Sequence, residues 1–392
     1  MRLAVDRISA RFAPRSNSAA LITASALAGF TLLNLRGGDW HTPVLFAIGV
    51  LLGFTLYHAA FGFSSAYRKL LVHRDTTAVR AQLVMLGVAT ALFTPILAAG
   101  SVFGNGVTGA VAPVGFQVAI GAFLFGIGMQ LAGGCGSGTL YTAGGGSPRM
   151  IVVLLAFCAG SFWASLHMGW WEQLPSFDTI ALGEEWGWGT AAGLQILVFA
   201  ALWILLDTMG KDQPAARSQA SLWRRAVYGP WSLLTGAFVL AALNFAVLLV
   251  AGHPWSITWA FALWGAKVAT LLGWSPADGF WTGDFQRAAL SRGILEDVTS
   301  LMDIGIMIGA LAAAALASRF SPQFKIAWRS LIAALAGGLA MGYGARIAYG
   351  CNVGAFFSGV ASTSVHGWLW IAAALGGTWF GVRLRPWFGL KN

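Results

Sequence analysis

Residues 133–146 read GGCGSGTLYTAGGG, seven glycines in fourteen positions around Cys135. An interior glycine costs a helix roughly 0.5–1 kcal/mol relative to alanine, so this stretch cannot be a regular straight helix. Yet it lies inside apolar sequence. In a bilayer, irregular backbone survives only where protein or a water-filled cavity surrounds it. The stretch is therefore expected to be a helix break or re-entrant turn that lines a path. Exposed backbone N–H groups, and the positive end of a short helix starting after the break, make an anion the natural guest.

A second copy lies downstream. Phe125–Thr139 reads FGIGMQLAGGCGSGT and Met341–Ala355 reads MGYGARIAYGCNVGA; at an offset of 216, Gly126/Gly342, Gly128/Gly344, Ala132/Ala348, Gly134/Gly350, Cys135/Cys351 and Gly138/Gly354 coincide. The preceding span agrees loosely, QLVMLGV from Gln82 with SLMDIGI from Ser300. The basic segment at 64–80 precedes the span at about 79–100, whereas the basic segment at 319–329 follows the equivalent span at about 299–318. The copies are thus expected to run in opposite directions, with a substrate path near the midplane between them.

The rest of the chain fits a membrane. Of 392 residues 10% are charged and 57% hydrophobic, against roughly 25% charged in globular domains, and mean hydropathy is +0.70. Nineteen Trp and 26 Phe suit interfacial belts. The net charge of +10 has no soluble, aromatic-interleaved module to hold it, which excludes nucleic acid; positive-inside topology explains it. Apolar spans are placed at about 18–35, 43–63, 79–100, 113–132, 150–170, 190–206, 231–252, 257–273, 299–318, 326–349 and 366–383, nine to eleven helices in all.

Basic segments set the orientation. Arg2, Arg7, Arg11 and Arg15 precede the first span; Arg68, Lys69, Arg74 and Arg80, then Lys211, Arg217, Arg224 and Arg225, then Arg319, Lys325 and Arg329, then Arg383, Arg385 and Lys391 mark cytoplasmic segments, with both termini inside. The stretch 171–189 carries Glu172, Asp178, Glu184 and Glu185 without a cation and faces the other side. If every span crossed once, 319–329 would emerge on the wrong side. One of 190–206, 231–252 and 257–273 is therefore expected not to cross fully.

The chemistry gathers at the breaks. A thiol donates a weak S–H bond and accepts through a polarizable sulfur, which suits a soft sulfur-containing ligand. Gly134, Gly136 and Gly350 expose backbone beside Cys135 and Cys351; Ser137, Thr139, Asn352 and Ser358 either donate to an oxyanion or satisfy the broken helices. Arg346, five residues before Cys351, either draws an anion inward or snorkels to the interface. Tyr141 and Tyr349 either line the path or pack. Cys158, in plain helical sequence, reads as structural, and Lys267 and Asp303 are candidates to pair across neighbouring spans. No CxxC pair, P-loop, Rossmann, zinc or haem motif is present. No cofactor is expected, and neither thiol has an adjoining His or carboxylate to act as a base.

GMQLAGGCGSGTLYTAGGG around Cys135 and GARIAYGCNVGAFFSGVASTS around Cys351, with AFGFSSAYRKLL at 60–71, resemble the YeeE/YedE family of bacterial inner-membrane sulfur-compound transporters, whose characterised members take up thiosulfate. The likeness runs from about 43 to 383. It implies an all-α polytopic membrane protein, two inverted repeats with broken or re-entrant helices forming an hourglass-like central path, and cysteines that pass the anion by S–H···S contacts, a role falling here on Cys135 and Cys351. A TusA-like cytoplasmic sulfur carrier is the implied partner. Two positions depart: Gly62 stands where the family has a cysteine, and Gln130 where the second copy has Arg346. The implied organisation is an N-terminus and first helix at 1–42, a first transport repeat at 43–170, a connecting region at 171–256, a second repeat at 257–383 and a tail at 384–392. A persulfide-bearing sulfur-transfer protein, and a conduit for another sulfur- or selenium-containing solute, are the competing readings.

Overall fold

The computed structural model describes residues 17–35, 39–211 and 221–392; Arg2, Arg7, Arg11, Arg15 and Arg217 lie outside them. Among the described residues, strand is confined to two small ribbons, Ser101–Val102 with Asn105–Gly106 and Pro113–Gly115 with Ser176–Thr179. Among the described residues eight helical stretches, fewer than the nine to eleven expected, are long and apolar enough to cross a membrane. The molecule is an all-α polytopic membrane protein.

Helices α1 (Ser18–Asn34), α2 (His41–Ala59), α3 (Phe63–His73), α4 (Thr77–Ala99), α5 (Phe116–Ala132), α6 (Gly136–Gly144) and α7 (Pro148–Ser165) lead to α8 (Trp188–Met209). Then come α9 (Leu233–Ala251), α10 (Thr258–Leu271), α11 (Val298–Leu316), α12 (Trp328–Ile347), α13 (Asn352–Ala361), whose first turns are π-helical, and α14 (Val365–Leu384). From α2 to α7 and from α9 to α14 the same succession recurs, with a short second helix and a half-length fifth. The 257–273 segment is the weak span: α10 has 14 residues, about 21 Å of helix at 1.5 Å per residue, short of the roughly 30 Å hydrocarbon core. The 190–206 segment lies inside α8, which has 22 residues.

Lipid tails are as apolar as leucine, so helices associate in a bilayer by close packing through small residues. Glycine supplies it here. A Cβ on Gly53 would fall 1.9 Å from the Ile306 carbonyl oxygen, and one on Gly309 1.9 Å from that of Val50; α2 and α11 therefore touch backbone to backbone. The repeated glycines act alike. Gly126 brings α5 against Ala374 of α14 and Gly342 brings α12 against Phe157 of α7, each with a Cβ position 2.2 Å from the facing carbonyl. Helices α5 and α12 also pack on each other, and α4 on α9.

The charged segments collect at two ends. The Lys211 N–H donates to the Arg74 carbonyl at 3.0 Å, Arg80 pairs with Asp207, and Arg149 donates to Ser330 at 2.8 Å, which gathers the basic loops on one face. The acidic 171–189 stretch lies at the other, where Ser176–Thr179 pairs with Pro113–Gly115 and the Leu182 N–H donates to Thr363. Lys267 and Asp303 do not pair. The Lys267 ammonium instead donates to the Leu290 and Arg292 carbonyls at 2.8 and 2.6 Å, closer hydrogen-bond acceptors than a carboxyl on another helix.

Candidate functional site

Each break ends on a cysteine that caps a half-helix. After α5 the chain turns through Gly133 (φ +82°) and reaches Cys135, the N-cap of α6; after α12 it turns through Tyr349 (φ +57°) and Gly350 (φ +152°) to Cys351, the N-cap of α13. The two caps share one backbone conformation, φ −89°, ψ −167° and φ −112°, ψ −166°. Gly133 and Tyr349 are equivalent at the 216 offset. Only glycine takes that left-handed turn without strain, and in the second copy the tyrosine is held by the Gln117 amide donating to its hydroxyl and by the Trp370 indole N–H donating to the Gly350 carbonyl at 3.2 Å.

The half-helices meet at their N-termini. A Cβ on Gly136, first residue of α6, would lie 3.2 Å from the Cys351 sulfur, so the second thiol rests against the first turn of the half-helix that begins at Cys135. Cys135 Sγ is 3.4 Å from Ser137 Oγ, and the Phe63 and Gly138 N–H groups lie beside it. The Val353 N–H donates to Cys351 Sγ at 3.4 Å. Cys135, Cys351, Ser137, Thr139 and Asn352 are all buried. Asn352 has neither a donor nor an acceptor partner, and the Thr139 and Tyr67 hydroxyls are likewise unpartnered. Tyr67 of α3 faces Asn352 and Cys135. A buried polar group without a partner costs about 1–3 kcal/mol, and four such atoms on three residues of one locus describe a shell with hydrogen bonds to spare.

Other expected residues sit around this meeting. Gly134 packs on the Gly138 backbone, where a Cβ would be 3.3 Å away. Ser358 donates its one O–H to the Trp255 carbonyl at 2.8 Å while accepting from Asn244 at 3.1 Å, which leaves it no donor for an oxyanion. Arg346 lies at the acidic-face end of α12, its guanidinium 4.6 Å from the Phe280 ring centre with Glu172 and Tyr349 nearby, and its Nε has no partner. Gly62 opens on a cavity of about 50 Å³ lined also by Ser65, Lys69 and Gln82. The next residue, Phe63, has its N–H beside Cys135, and the Tyr141 hydroxyl would be 3.5 Å from a Cβ on Gly62.

Sequence reasoning missed two features. Tyr67 is one; a hydroxyl five residues past Gly62 in AFGFSSAYRKLL was the available signal. The other is a clasp on the C-terminus of α5, where Arg149 donates to the Leu131 carbonyl at 2.9 Å and to that of Ala132, Arg385 donates to the Gln130 carbonyl, and Arg68 reaches the Gln130 side chain at 3.4 Å. These cations satisfy carbonyls that the break leaves orphaned and offset the negative end of the helix dipole. Burial, with Arg68 and Arg149 adjacent, pushes the Arg385 guanidinium down to about 10, still cationic at neutral pH.

Residues 58–380 match the protein family described as sulphur transport. The probable transporter YedE of Salmonella typhimurium is 30% identical over 161 residues, 41% of this chain; the match spans only 39% of that relative's length. The thiosulfate transporter TsuA of Spirochaeta thermophila is 26% identical over 351 residues, covering 85% of this chain and 95% of the relative. The thiosulfate transporter TsuA of Escherichia coli is 25% identical over 350 residues, covering 86% and 94%.

Proposed function

Because the chain belongs to the sulphur-transport family, we propose that it carries a small sulfur-containing anion, thiosulfate first among them, across the membrane through the meeting of its two half-helices. The observation that carries this reading is the contact of Cys351 with the first turn of α6, 3.2 Å from a Cβ position on Gly136, beside the unpartnered Asn352, Thr139 and Tyr67. Two helix N-termini converge there, each a partial positive charge with N–H groups to offer. The hydroxyls and amide suit oxyanion oxygens. A terminal sulfur finds two thiols able to donate S–H and to pack as soft, polarizable groups.

The path we infer runs from the acidic face past Arg346 to Cys351, then to Cys135, then past Phe63 and Gly62 to the basic face. Gly134, Gly136 and Gly350 keep its backbone bare, and Ser137 orients the Cys135 thiol. In this reading the basic face is cytoplasmic in a bacterial inner membrane, a TusA-like carrier would take delivery there, and α2–α7 and α9–α14 are inverted copies. Support for the inversion comes from matched packing: exchanging the two sets turns the α5–α14 contact at Gly126 into the α12–α7 contact at Gly342. Nothing favours the persulfide reading, since among the described residues no imidazole or carboxylate hydrogen-bonds either thiol.

Uptake of radiolabelled thiosulfate into cells lacking other importers tests the proposal. Expression of the chain should confer uptake, and Cys351→Ala and Cys135→Ala should each reduce it by about tenfold or more, equivalent to roughly 1.4 kcal/mol of lost stabilisation, at equal protein levels. Undiminished uptake by both variants refutes the thiol relay; absence of uptake by the unaltered chain refutes thiosulfate.

A further inference from the structure

The cavity of about 50 Å³ on the basic side of the thiols is walled by Gly62, by Ser65 and Lys69 of α3, by Gln82 of α4 and by Leu233 of α9. At roughly 10–15 Å³ for each water, it has room for about three waters or one small tetrahedral oxyanion. Gln82 is 2% exposed, yet its amide oxygen has no hydrogen-bond partner, and among the described residues its NH2 donates to nothing. Buried polar groups are nearly always satisfied, so an idle amide in a cavity wall asks for an occupant. The second copy supplies the contrast. Ser300, equivalent to Gln82 at the 218 offset, accepts from the Trp264 indole N–H at 2.9 Å.

Lys69 gives the cavity its charge. No carboxylate lines the wall, and among the described residues the Lys69 ammonium makes no ion pair. The Ser65 hydroxyl is already used, donating to the Gly62 carbonyl at 3.0 Å, which leaves the ammonium and the Gln82 NH2 as the side-chain donors. The cavity also adjoins the first thiol. Gly62 lines it, the next residue has its N–H beside Cys135, and the Tyr141 hydroxyl would stand 3.5 Å from a Cβ on Gly62. Such a Cβ would lie 2.8 Å from Ser65 Oγ, so bare backbone keeps this opening clear. No thiol is among the lining residues.

We propose that this cavity is an oxyanion subsite on the exit side of the thiols, where Lys69 and the Gln82 amide hold the oxygens of the departing anion. The proposal rests on the transport reading and separates what the two parts of the path recognise. Thiols are soft, weak donors and suit a terminal sulfur. An ammonium and an amide, with no sulfur beside them, read only charge and oxygen. Sulfate has the shape and charge of thiosulfate with oxygen in place of the terminal sulfur. It therefore fits the cavity but is not passed by the thiols. An anion seated beside Gly62 blocks the next one leaving Cys135, so sulfate on the basic face inhibits thiosulfate flux without being carried.

Two measurements on the full chain test this. In equilibrium dialysis against labelled sulfate, the unaltered protein and Cys135→Ala should bind alike. Lys69→Gln and Gln82→Leu should each bind about tenfold or more weakly, the share of one charge-assisted hydrogen bond, and Lys69→Arg should restore binding. Gln82→Leu gives up no hydrogen bond and Lys69 is exposed, so neither substitution should lower the unfolding temperature. Sulfate binding that neither substitution weakens, or no sulfate binding by the unaltered protein, overturns the proposal. The second measurement needs no variant. In inverted membrane vesicles, with the basic face outward, external sulfate should slow the flux of labelled thiosulfate and labelled sulfate should not enter. Sulfate without effect there, or carried as fast as thiosulfate, overturns the subsite while leaving transport intact. Should the unaltered protein move no thiosulfate, the transport reading fails instead, and dialysis alone decides whether Lys69 and Gln82 hold an oxyanion.

Discussion

Gly136 is the single residue on which the meeting of the two half-helices turns. A methyl there would press on the Cys351 sulfur at 3.2 Å, tighter than ordinary carbon–sulfur contact, so the thiol must give by a few tenths of an ångström at the half-helix N-terminus. Gly136→Ala is expected to lower thiosulfate uptake by about tenfold, roughly 1.4 kcal/mol, with normal amounts of protein in the membrane; uptake at the unaltered level would mean that the Cys351 contact is incidental. Asn352→Ala removes two unpartnered polar atoms from a dry shell. Because neither atom makes a hydrogen bond at rest, thermal stability should hold or rise while uptake falls, and a loss of stability would assign Asn352 to the fold. The position of both cysteines at helix breaks was legible in sequence, because so many glycines in an apolar run cannot continue a regular helix. The place of Tyr67 beside them was not, since it depends on α3 folding back beneath the break.

Among elements, the seam of α2 with α11 bears the tightest packing. Gly53 and Gly309 each leave a carbonyl oxygen 1.9 Å from where a Cβ would stand. Gly53→Leu must therefore part the helices, at a cost of about 1–3 kcal/mol or more for overpacking. It should appear as a lowered unfolding temperature in detergent, and an unchanged temperature would show that the helices are not in backbone contact. Sequence periodicity located nearly every long helix but could not resolve α10. Its apolar residues continue past Leu271 into Leu272, and only the Thr258–Leu271 boundaries show it too short to cross. Lys267 misled for a related reason. Spacing cannot reveal that two backbone carbonyls, of Leu290 and Arg292, stand nearer than a carboxyl on α11.

At the scale of the molecule, the charge pattern marked out the two faces, because basic loops far apart in sequence are brought together at one end by contacts such as Lys211 with Arg74. It carried no sign of how the halves interlock, which depends on glycine contacts such as Gly126 with Ala374 that involve no charge. The proposed inverted arrangement makes a topological prediction. Asp178→Cys and Lys325→Cys, both at exposed positions, should react with an impermeant maleimide from opposite sides of the membrane, against a low background because Cys135, Cys158 and Cys351 are buried. Labelling of both from one side would rule it out.

The most direct test of a shared anion site is a structure of the full chain soaked with selenosulfate, the selenium analogue of thiosulfate, recorded at the selenium absorption edge. An anomalous peak is expected touching the sulfurs of Cys135 and Cys351 at the first turn of α6, with Asn352 turned towards the oxygens. A saturated crystal with selenium only in the surface cavities, or with no selenium bound at all, would contradict it.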